Sequence, residues 1–431
     1  MPPMSTHLLP PRLNAPQIEV LPNGLTIIAE QMPVEAVSFH LWLQVGSRWE
    51  GNEINGMAHF LEHMVFKGTS RLAMGEFEQV IEARGASTNA ATSQDYTQFY
   101  TTCAPQDFAE LAPLQLEVVL NPAIADDPFE RERLVVLEEI RRSLDDPQRR
   151  IFQAVFQLAF PKTPYARPVL GDRQSVEQLH AQQMRDFHAH WYQPQAMTAT
   201  VVGNHPIAEL VETVAQSFSD CYRVKSPSRG LTMPRSVSPP KFNTVESKTV
   251  IDPTLQQARL ILLWRVPGLD QFWDLLPLSV LAVILGRGRV SRLFRELREE
   301  KGLVTAIGAS NSVQAQQGMF YIAAQLPADN IEAVEACILD HIRRLQTELI
   351  PTTTLNRVQN QVANRFIFGN ERPGDRANLY GYYYSQIGDL EPALTYPDHV
   401  QNLTAQDLQA AAQTHLSPTA YGRVVALPSE S

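Results

Sequence analysis

The chain has 431 residues, which is enough for two or three domains with separate hydrophobic cores. Hydrophobic residues make up 44% and charged residues 19%, and no uncharged apolar run reaches the roughly 20 residues of a membrane helix. The net charge of -10 disfavours nucleic acid as a partner. The composition therefore predicts a globular protein that binds neither nucleic acid nor a membrane.

Two features of the sequence bear on its compartment. Residues 1–17 contain proline and histidine where a signal peptide would have a basic start and an apolar core. Three cysteines, Cys103, Cys221 and Cys337, lie far apart and form no CxxC spacing, so neither a disulfide framework nor a thiolate metal site is indicated. We expect them to be small core residues in a cytoplasmic protein.

The first half alternates between β structure and helices. Alternating apolar and polar residues predict strands on both sides of a Pro-Asn-Gly turn, and apolar residues at helical spacing follow. An aspartate followed by proline, a favourable N-cap and first helical residue, occurs twice. The predicted elements are strands within residues 17–45 and 87–103, and helices over residues 56–67 and 75–84 and from Asp127 and Asp146 onward.

A linker separates this half from a second one. Residues 223–245 are rich in Pro, Ser, Gly and Lys and have little periodicity. Residues 246–431 then repeat the plan of residues 1–222, with an apolar strand, a turn and two helices over residues 272–285 and 290–300. We therefore predict an α+β fold of two similar domains.

Two histidines and a glutamate carry the clearest chemical signal. His59 and His63 lie four residues apart in the predicted helix, so their imidazoles share one face and can reach one zinc ion. Glu62 lies beside them, where its carboxylate can take a proton from water. This HxxEH order is the reverse of HExxH and is typical of one class of zinc peptidases. No histidine occurs between His205 and His341, so the second copy of this helix cannot bind metal.

The third zinc ligand has to come from elsewhere in the chain. Glu138 and Glu139 are adjacent in the long helix that follows Asp127, and helical geometry places them on different faces. Glu138 has Arg142 four residues later, which is typical of a solvated face, whereas Glu139 shares a less charged face with Glu132. We predict Glu139 as the ligand and Glu132 as its supporting neighbour, with four solvated glutamates on a surface helix as the alternative.

These residues resemble the M16 peptidases, over nearly the whole chain. In that family a glutamate near the end of a later helix completes the site, and Glu139 takes that place. The family also has an NAxTSxDxTxYY-like segment, which corresponds to residues 89–100. The resemblance implies an edge strand that binds peptide substrate through Asn89, Ala90 and Thr92 by β-augmentation. It also implies two domains, each with a mixed, largely antiparallel sheet covered by helices, which form half of a clam-shell chamber.

The second half resembles the family less completely. Residues 291–306 are similar to its SRLFxxLREKxGLAYS segment, in which an arginine and a tyrosine seven residues later help to bind substrate and to polarise its carbonyl. Arg298 matches the arginine, but Thr305 stands where the tyrosine would be. We expect a partner to supply the missing group. The expected assembly is a heterodimer with a related subunit that carries the Arg/Tyr pair, or otherwise a homodimer.

Together these patterns predict a zinc endopeptidase or oligopeptidase that cleaves peptides or unfolded proteins in an enclosed chamber. One zinc ion per chain is expected at His59, His63 and Glu139, with Glu62 as the catalytic base. The alternative is a non-catalytic structural or chaperone-like relative that keeps the fold without the chemistry.

Overall fold

The computed structural model describes residues 15–223 and 238–429. Most of the predicted linker, residues 223–245, lies outside these ranges. Most of residues 1–17, in which no signal peptide is predicted, also lies outside them. Two sheets and their covering helices account for the described residues, one sheet in each half of the chain. The α+β fold class is confirmed.

The first sheet has six strands in the order β1-β2-β6-β3-β5-β4. The pair β2 and β6 is parallel, and the other pairs are antiparallel. The strands are β1 (Gln17–Val20), β2 (Thr26–Gln31), β3 (Val37–Leu43), β4 (Ser87–Thr92), β5 (Thr97–Cys103) and β6 (Met197–Gly203). Residues 87–103, predicted as one β segment, thus form a hairpin of two strands, β4 and β5. Strand β4 lies at the edge of the sheet.

The second sheet repeats the order of the first with one strand fewer, β7-β11-β8-β10-β9. Its outer pair, β7 and β11, is parallel, as are β2 and β6 in the first sheet. The strands are β7 (Glu246–Ile251), β8 (Ala258–Pro267), β9 (Ala306–Val313), β10 (Gln317–Leu326) and β11 (Gly422–Leu427). This shared topology is what a diverged repeat predicts.

Fourteen α-helices cover the two sheets within the described residues. Those of the first half are α1 (Met57–Met64), α2 (Glu76–Ala83), α3 (Phe108–Leu120), α4 (Asp126–Asp145), α5 (Pro147–Ala159), α6 (Arg173–Gln178), α7 (Ala181–Trp191) and α8 (Ile207–Cys221). Those of the second half are α9 (Phe272–Gly286), α10 (Ile331–Thr347), α11 (Thr352–Phe368), α12 (Pro373–Ile387), α13 (Glu391–Asn402) and α14 (Ala405–His415).

The capping residues in the sequence predicted one helix start correctly and placed another too late. Asp146 caps α5 as predicted, since its carboxylate accepts a hydrogen bond from Gln148 N at 2.8 Å. Helix α4 instead begins at Asp126, with Ala125 as its N-cap. The predicted helix over residues 290–300 is mainly a π-helix, Phe294–Glu300.

One helix from each half packs on the sheet of the other half. Helix α5 packs on the second sheet, where Val155 shares an apolar cluster with Leu263 and Met319. Helix α12 packs on the first sheet, where Tyr380 lies against Ile28. The two halves are therefore interlocked by apolar burial that crosses between them.

A buried ion pair accompanies the second of these contacts. Glu30 on β2 accepts hydrogen bonds from Arg376 at 2.5 Å and from the Tyr380 hydroxyl at 2.7 Å, both from α12. All three side chains are buried, so loss of one partner would leave a charge without compensation. This arrangement fixes α12 in register on the first sheet.

One segment within the described residues, Leu269–Gly286, is long and apolar enough to cross a membrane. It includes α9, and 67% of the segment is buried inside the fold. Leu278, Val280 and Leu281 belong to the core between α9 and the second sheet. Packing within the protein thus accounts for the apolar composition of this helix.

Candidate functional site

The site begins with the way helix α1 starts. Gly56 precedes α1 with φ of 98°, and a Cβ there would lie 2.7 Å from the Leu170 carbonyl oxygen, so only glycine fits. The Glu50 carboxylate is buried and accepts hydrogen bonds from Gly56 N at 2.9 Å and from Ala58 N at 2.7 Å. Burial raises the pKa of Glu50 to about 7, although hydrogen bonds from Ala58, Asn55 and Gly56 act in the opposite direction. Glu50 therefore anchors the first turn of α1.

Helix α1 brings the two histidines together with Glu139 of α4. The His59 and His63 rings meet edge to face, with centroids 4.8 Å apart. Glu139 Oε2 lies 3.5 Å from His59 Nε2 and 3.5 Å from His63 Nε2. The three ligand atoms all lie within 4.8 Å of one another. Residues from two helices thus converge on a space of the size of one metal ion.

The other glutamate of the adjacent pair points elsewhere. Glu138 is half-buried, as Glu139 is, but it forms ion pairs with Arg141 at 2.8 Å and Arg142 at 3.1 Å. Hydrogen bonds from these two arginines lower the pKa of Glu138 to about 2. Its carboxylate is therefore engaged on the outer surface of α4, while the Glu139 carboxylate faces the histidines.

Glu132 contacts the cluster from one side. Its Oε1 lies 2.9 Å from His63 Nδ1, and its Oε2 lies 2.8 Å from Lys67 Nζ. Because a carboxylate only accepts hydrogen bonds, His63 Nδ1 carries a proton, and Nε2 is the nitrogen whose lone pair can bind a metal once its own proton is lost. Burial alone would lower the pKa of His63, but hydrogen bonds to Glu139 and Glu132 outweigh it and raise that pKa.

The Glu62 carboxylate lies between the cluster and the edge strand β4. Its Oε2 accepts a hydrogen bond from the Thr92 hydroxyl at 2.5 Å. Burial raises the pKa of Glu62, although the Thr92 hydrogen bond and the charge of His63 act in the opposite direction. A carboxyl group with a raised pKa is the usual choice for proton transfer at neutral pH. The sequence alone did not reveal that Thr92 orients Glu62.

The predicted substrate strand lies at the open edge of the first sheet. Strand β4 pairs on one side with β5, and it is the last strand in the order of that sheet. Asn89 is exposed and Ala90 is half-buried, with Asn89 Oδ1 accepting a hydrogen bond from Ala90 N at 2.9 Å. No strand within the described residues pairs with the other side of β4, which has the backbone groups to pair with an extended peptide.

Arg298 and Thr305 lie in the second half, and both are exposed. The Arg298 guanidinium lies 4.7 Å from the centre of the Phe294 ring. The Thr305 hydroxyl donates to Gln257 Oε1 at 2.8 Å. Within residues 15–223 and 238–429, neither side chain has a hydrogen bond or ion pair with the histidine cluster. Both belong to the surface around the π-helix and the start of β9.

Two imidazole nitrogens and one carboxylate oxygen are a common donor set for catalytic zinc, with a fourth position left for water. A tetrahedral zinc ion with bonds of about 2.0 to 2.1 Å separates its ligand atoms by roughly 3.4 Å. The separations of 3.5 Å between Glu139 Oε2 and each Nε2 match this value. His59, His63 and Glu139 therefore fit zinc in both chemistry and spacing.

Comparison with known proteins shows the family of the chain. Residues 25–173 match the family model for insulinase (peptidase family M16), and residues 178–362 match that of the peptidase M16 inactive domain. An uncharacterized zinc protease of Mycobacterium bovis is 30% identical over 427 residues, which cover 97% of this chain and 94% of that protein.

Two solved structures share the whole fold. The crystal structure of a protease from Helicobacter pylori superimposes with a TM-score of 0.89 at 25% identity, covering 96% of this chain and 99% of that one. A chain of Complex III2 from Candida albicans reaches a TM-score of 0.80 at 16% identity, covering 95% of each chain, which shows likeness of fold alone. From the two family models and the near full-length relative, we conclude that the chain belongs to peptidase family M16.

Proposed function

We propose that this protein is a zinc-dependent endopeptidase or oligopeptidase, with zinc held by His59, His63 and Glu139 and with Glu62 as the general base. The position of Glu62 carries the proposal, because its half-buried carboxylate lies close enough to His63 and Glu139 for their charges to shift its pKa. Membership of a family whose relatives are named zinc proteases supports the metal. One zinc ion per chain is proposed.

Zinc, when bound, supplies Lewis acidity that polarises the scissile carbonyl and makes water more acidic. Glu62 takes the proton of the attacking water and later delivers it to the leaving amine. The Thr92 hydroxyl holds this carboxylate in place and leaves its second oxygen for the water. Glu132 keeps the proton of His63 on Nδ1, so that Nε2 stays available as a ligand.

The proposed substrates are extended segments of peptides or unfolded proteins. The free edge of β4 offers main-chain hydrogen bonds that do not depend on the substrate side chains. Asn89 and Ala90 would bind the peptide, while Thr92 lies where the peptide would meet Glu62. Such binding favours an extended backbone over a particular sequence, since specificity comes only from pockets for alternate side chains.

We further propose that this chain is one half of a two-subunit enzyme in the cytoplasm. Thr305 is a short side chain already bonded to Gln257, so it cannot supply a distant hydroxyl to the substrate carbonyl. A related subunit with an Arg/Tyr pair would complete the site, or otherwise a second copy of this chain would close the chamber. Arg298, exposed beside Phe294, is available to bind substrate in either arrangement.

The second candidate is a non-catalytic structural role. This candidate is kept because a fold alone does not determine a function, and a chain of Complex III2 has the same architecture. A role of that kind requires neither a general base nor a converging ligand set, whereas His59, His63 and Glu139 converge here and Glu62 is the proposed base. Peptidase activity that depends on Glu62 separates the two candidates.

The first experiment replaces Glu62 with Gln, which keeps the shape of the side chain and removes the base. We expect turnover of a quenched fluorescent peptide to fall by about a hundred- to ten-thousand-fold, while the zinc content measured by elemental analysis stays the same. Glu82→Gln, on the exposed face of α2, is the matched control and should keep the wild-type rate. Near wild-type turnover in the Glu62→Gln variant would show that the base is wrongly assigned.

The second experiment compares Glu139→Gln with Glu138→Gln, two identical changes at adjacent positions. Loss of the Glu139 carboxylate removes a proposed ligand, so we expect zinc affinity to fall at least about a hundredfold. Glu138 is engaged with Arg141 and Arg142, so its replacement should leave the affinity nearly unchanged. Competition with a chromophoric chelator measures both constants. Equal losses in the two variants would contradict the orientation of α4 relative to the histidines.

The third experiment tests whether the site is divided between subunits. We expect the isolated chain to be a poor peptidase, because loss of one oxyanion donor costs about a hundred- to a thousandfold in turnover. A related subunit captured from the native cells should restore the rate, and Thr305→Tyr should recover part of it in a confirmed closed dimer. Thr305→Phe, which has the ring without the hydroxyl, is the matched control and should recover nothing.

Two results would contradict the divided site. One is an isolated chain that cleaves unstructured peptides as fast as the mixture with its partner. The other is a closed dimer of the Thr305→Tyr variant that is no faster than the Thr305→Phe dimer. Either result would leave Thr305 as a tolerated difference from the family pattern.

A further inference from the structure

A second cluster of metal-ligating side chains lies in the other half of the chain. Glu296, Cys337 and His341 each offer one ligand atom, and these atoms lie within 4.8 Å of one another. Glu296 comes from the π-helix Phe294–Glu300, and the other two come from α10. The cluster is separate in sequence and in fold from the histidine site on α1 and α4.

The construction repeats that of the first site with different ligands. Cys337 and His341 lie four residues apart on one face of a helix, as His59 and His63 do, and a carboxylate from another helix completes each set. Cys337 Sγ lies 3.2 Å from Glu296 Oε1, and His341 Nε2 lies 2.9 Å from Glu296 Oε2. Both contacts are hydrogen bonds, one to each oxygen of the same carboxylate, so the three side chains already converge on one point.

A cationic side chain already occupies this position. Lys301 Nζ lies 2.6 Å from Glu296 Oε1 and 3.9 Å from Cys337 Sγ. The Lys301 side chain is 49% exposed, so it can turn into solvent without a change in the backbone. The cluster is thus arranged around a positive charge that a metal ion could replace.

The surrounding charges set how tightly a metal would bind. Arg292 and Arg344 face His341 and oppose a cation, while Asp340 lies near Cys337 and favours one. Burial also raises the pKa of the Cys337 thiol to about 11, with Glu296 acting in the same direction. Metal binding must therefore displace both the Lys301 ammonium and the thiol proton, which makes this site weaker than the histidine site.

We propose that Glu296, Cys337 and His341 form a second metal site that takes a thiophilic divalent cation such as Zn²⁺. A sulfur, an imidazole nitrogen and a single carboxylate oxygen suit zinc rather than the hard cations Mg²⁺ and Ca²⁺. As the bond between Sγ and the metal forms, the Sγ–H bond breaks and its proton passes to solvent. A bound ion would join the π-helix, which carries Arg298, to α10.

Cobalt titration tests this site directly, because Co²⁺ replaces Zn²⁺ and gives an intense near-ultraviolet band only when a thiolate is a ligand. The proposed catalytic site contains no sulfur and cannot contribute to that band. We expect the full-length reduced protein to develop the band and to bind about two Co²⁺ ions per chain at saturation. The band should persist in the Glu139→Gln variant, so failure of this inference and failure of the proposed function can be told apart.

Two cysteine variants test which thiolate gives the band, and a lysine variant tests the competition with Lys301. Cys337→Ser should abolish it, whereas Cys103→Ser should keep it, with circular dichroism as the check that each variant is folded. Lys301→Met removes the competing ammonium and should tighten the cobalt affinity of this site by at least about tenfold. A wild-type protein with no thiolate band at saturating Co²⁺ would overturn the proposal. A band that survives in Cys337→Ser, or an affinity that Lys301→Met does not change, would also overturn it.

Discussion

The whole site depends on the anchoring of one short helix. Helix α1 has eight residues, too few to be stable alone in water. Its packing against the rest of the fold holds it in place, and two contacts set its position relative to α4. Glu50 satisfies amides of its first turn, and Phe60 stacks on Phe129 of α4 with ring centroids 4.5 Å apart. The first contact fixes where α1 starts, and the second fixes its distance to the helix that carries Glu139.

The β4–β5 hairpin, which carries Thr92, is also held in place by contacts with the second half. Asp95, in the turn of this hairpin, is buried and lies 2.9 Å from Arg48. Asp95 also accepts hydrogen bonds from the Tyr165 hydroxyl at 2.6 Å and from Ala315 N, between β9 and β10, at 2.9 Å. The strand that carries Thr92 is therefore tied to the other sheet. The position of Thr92, and with it that of Glu62, therefore depends on how the second half packs against the first. The exchanged helices α5 and α12 hold the two halves in that arrangement.

Spacing along one helix was enough to predict part of the site. His59, Glu62 and His63 follow from the helical period, and the different faces of Glu138 and Glu139 follow from the same period. In the structure Glu139 lies beside His59 and His63, and Glu132 lies against His63, while zinc binding by these residues stays a prediction. The face on which a helical residue lies depends only on its spacing from nearby residues, so it can be predicted from one sequence.

Contacts between different structural elements could not be predicted in the same way. The carboxylate of Glu50 reaches α1 across a turn, and the hydroxyl of Thr92 reaches Glu62 from another element. The exchange of α5 and α12 is equally remote in sequence, and each of these helices looks like an ordinary amphipathic helix of its own half. Residues 290–300 were predicted to be α-helical because π-helices are rare, and the seven residues of this one are too few to show a different period. Cys337 and His341 passed unnoticed because Glu296 joins them only in three dimensions.

The most direct test of the account is to remove the metal and return it in measured amounts. Protein stripped with a chelator is titrated with Zn²⁺, and peptide cleavage is followed at each addition, with the partner subunit present if the isolated chain is inactive. The account predicts no cleavage without metal, and a linear return that reaches its plateau at about one zinc ion per chain. Cleavage by the stripped protein, or a plateau reached only as a second ion binds, would contradict the assignment of His59, His63 and Glu139 as the catalytic centre.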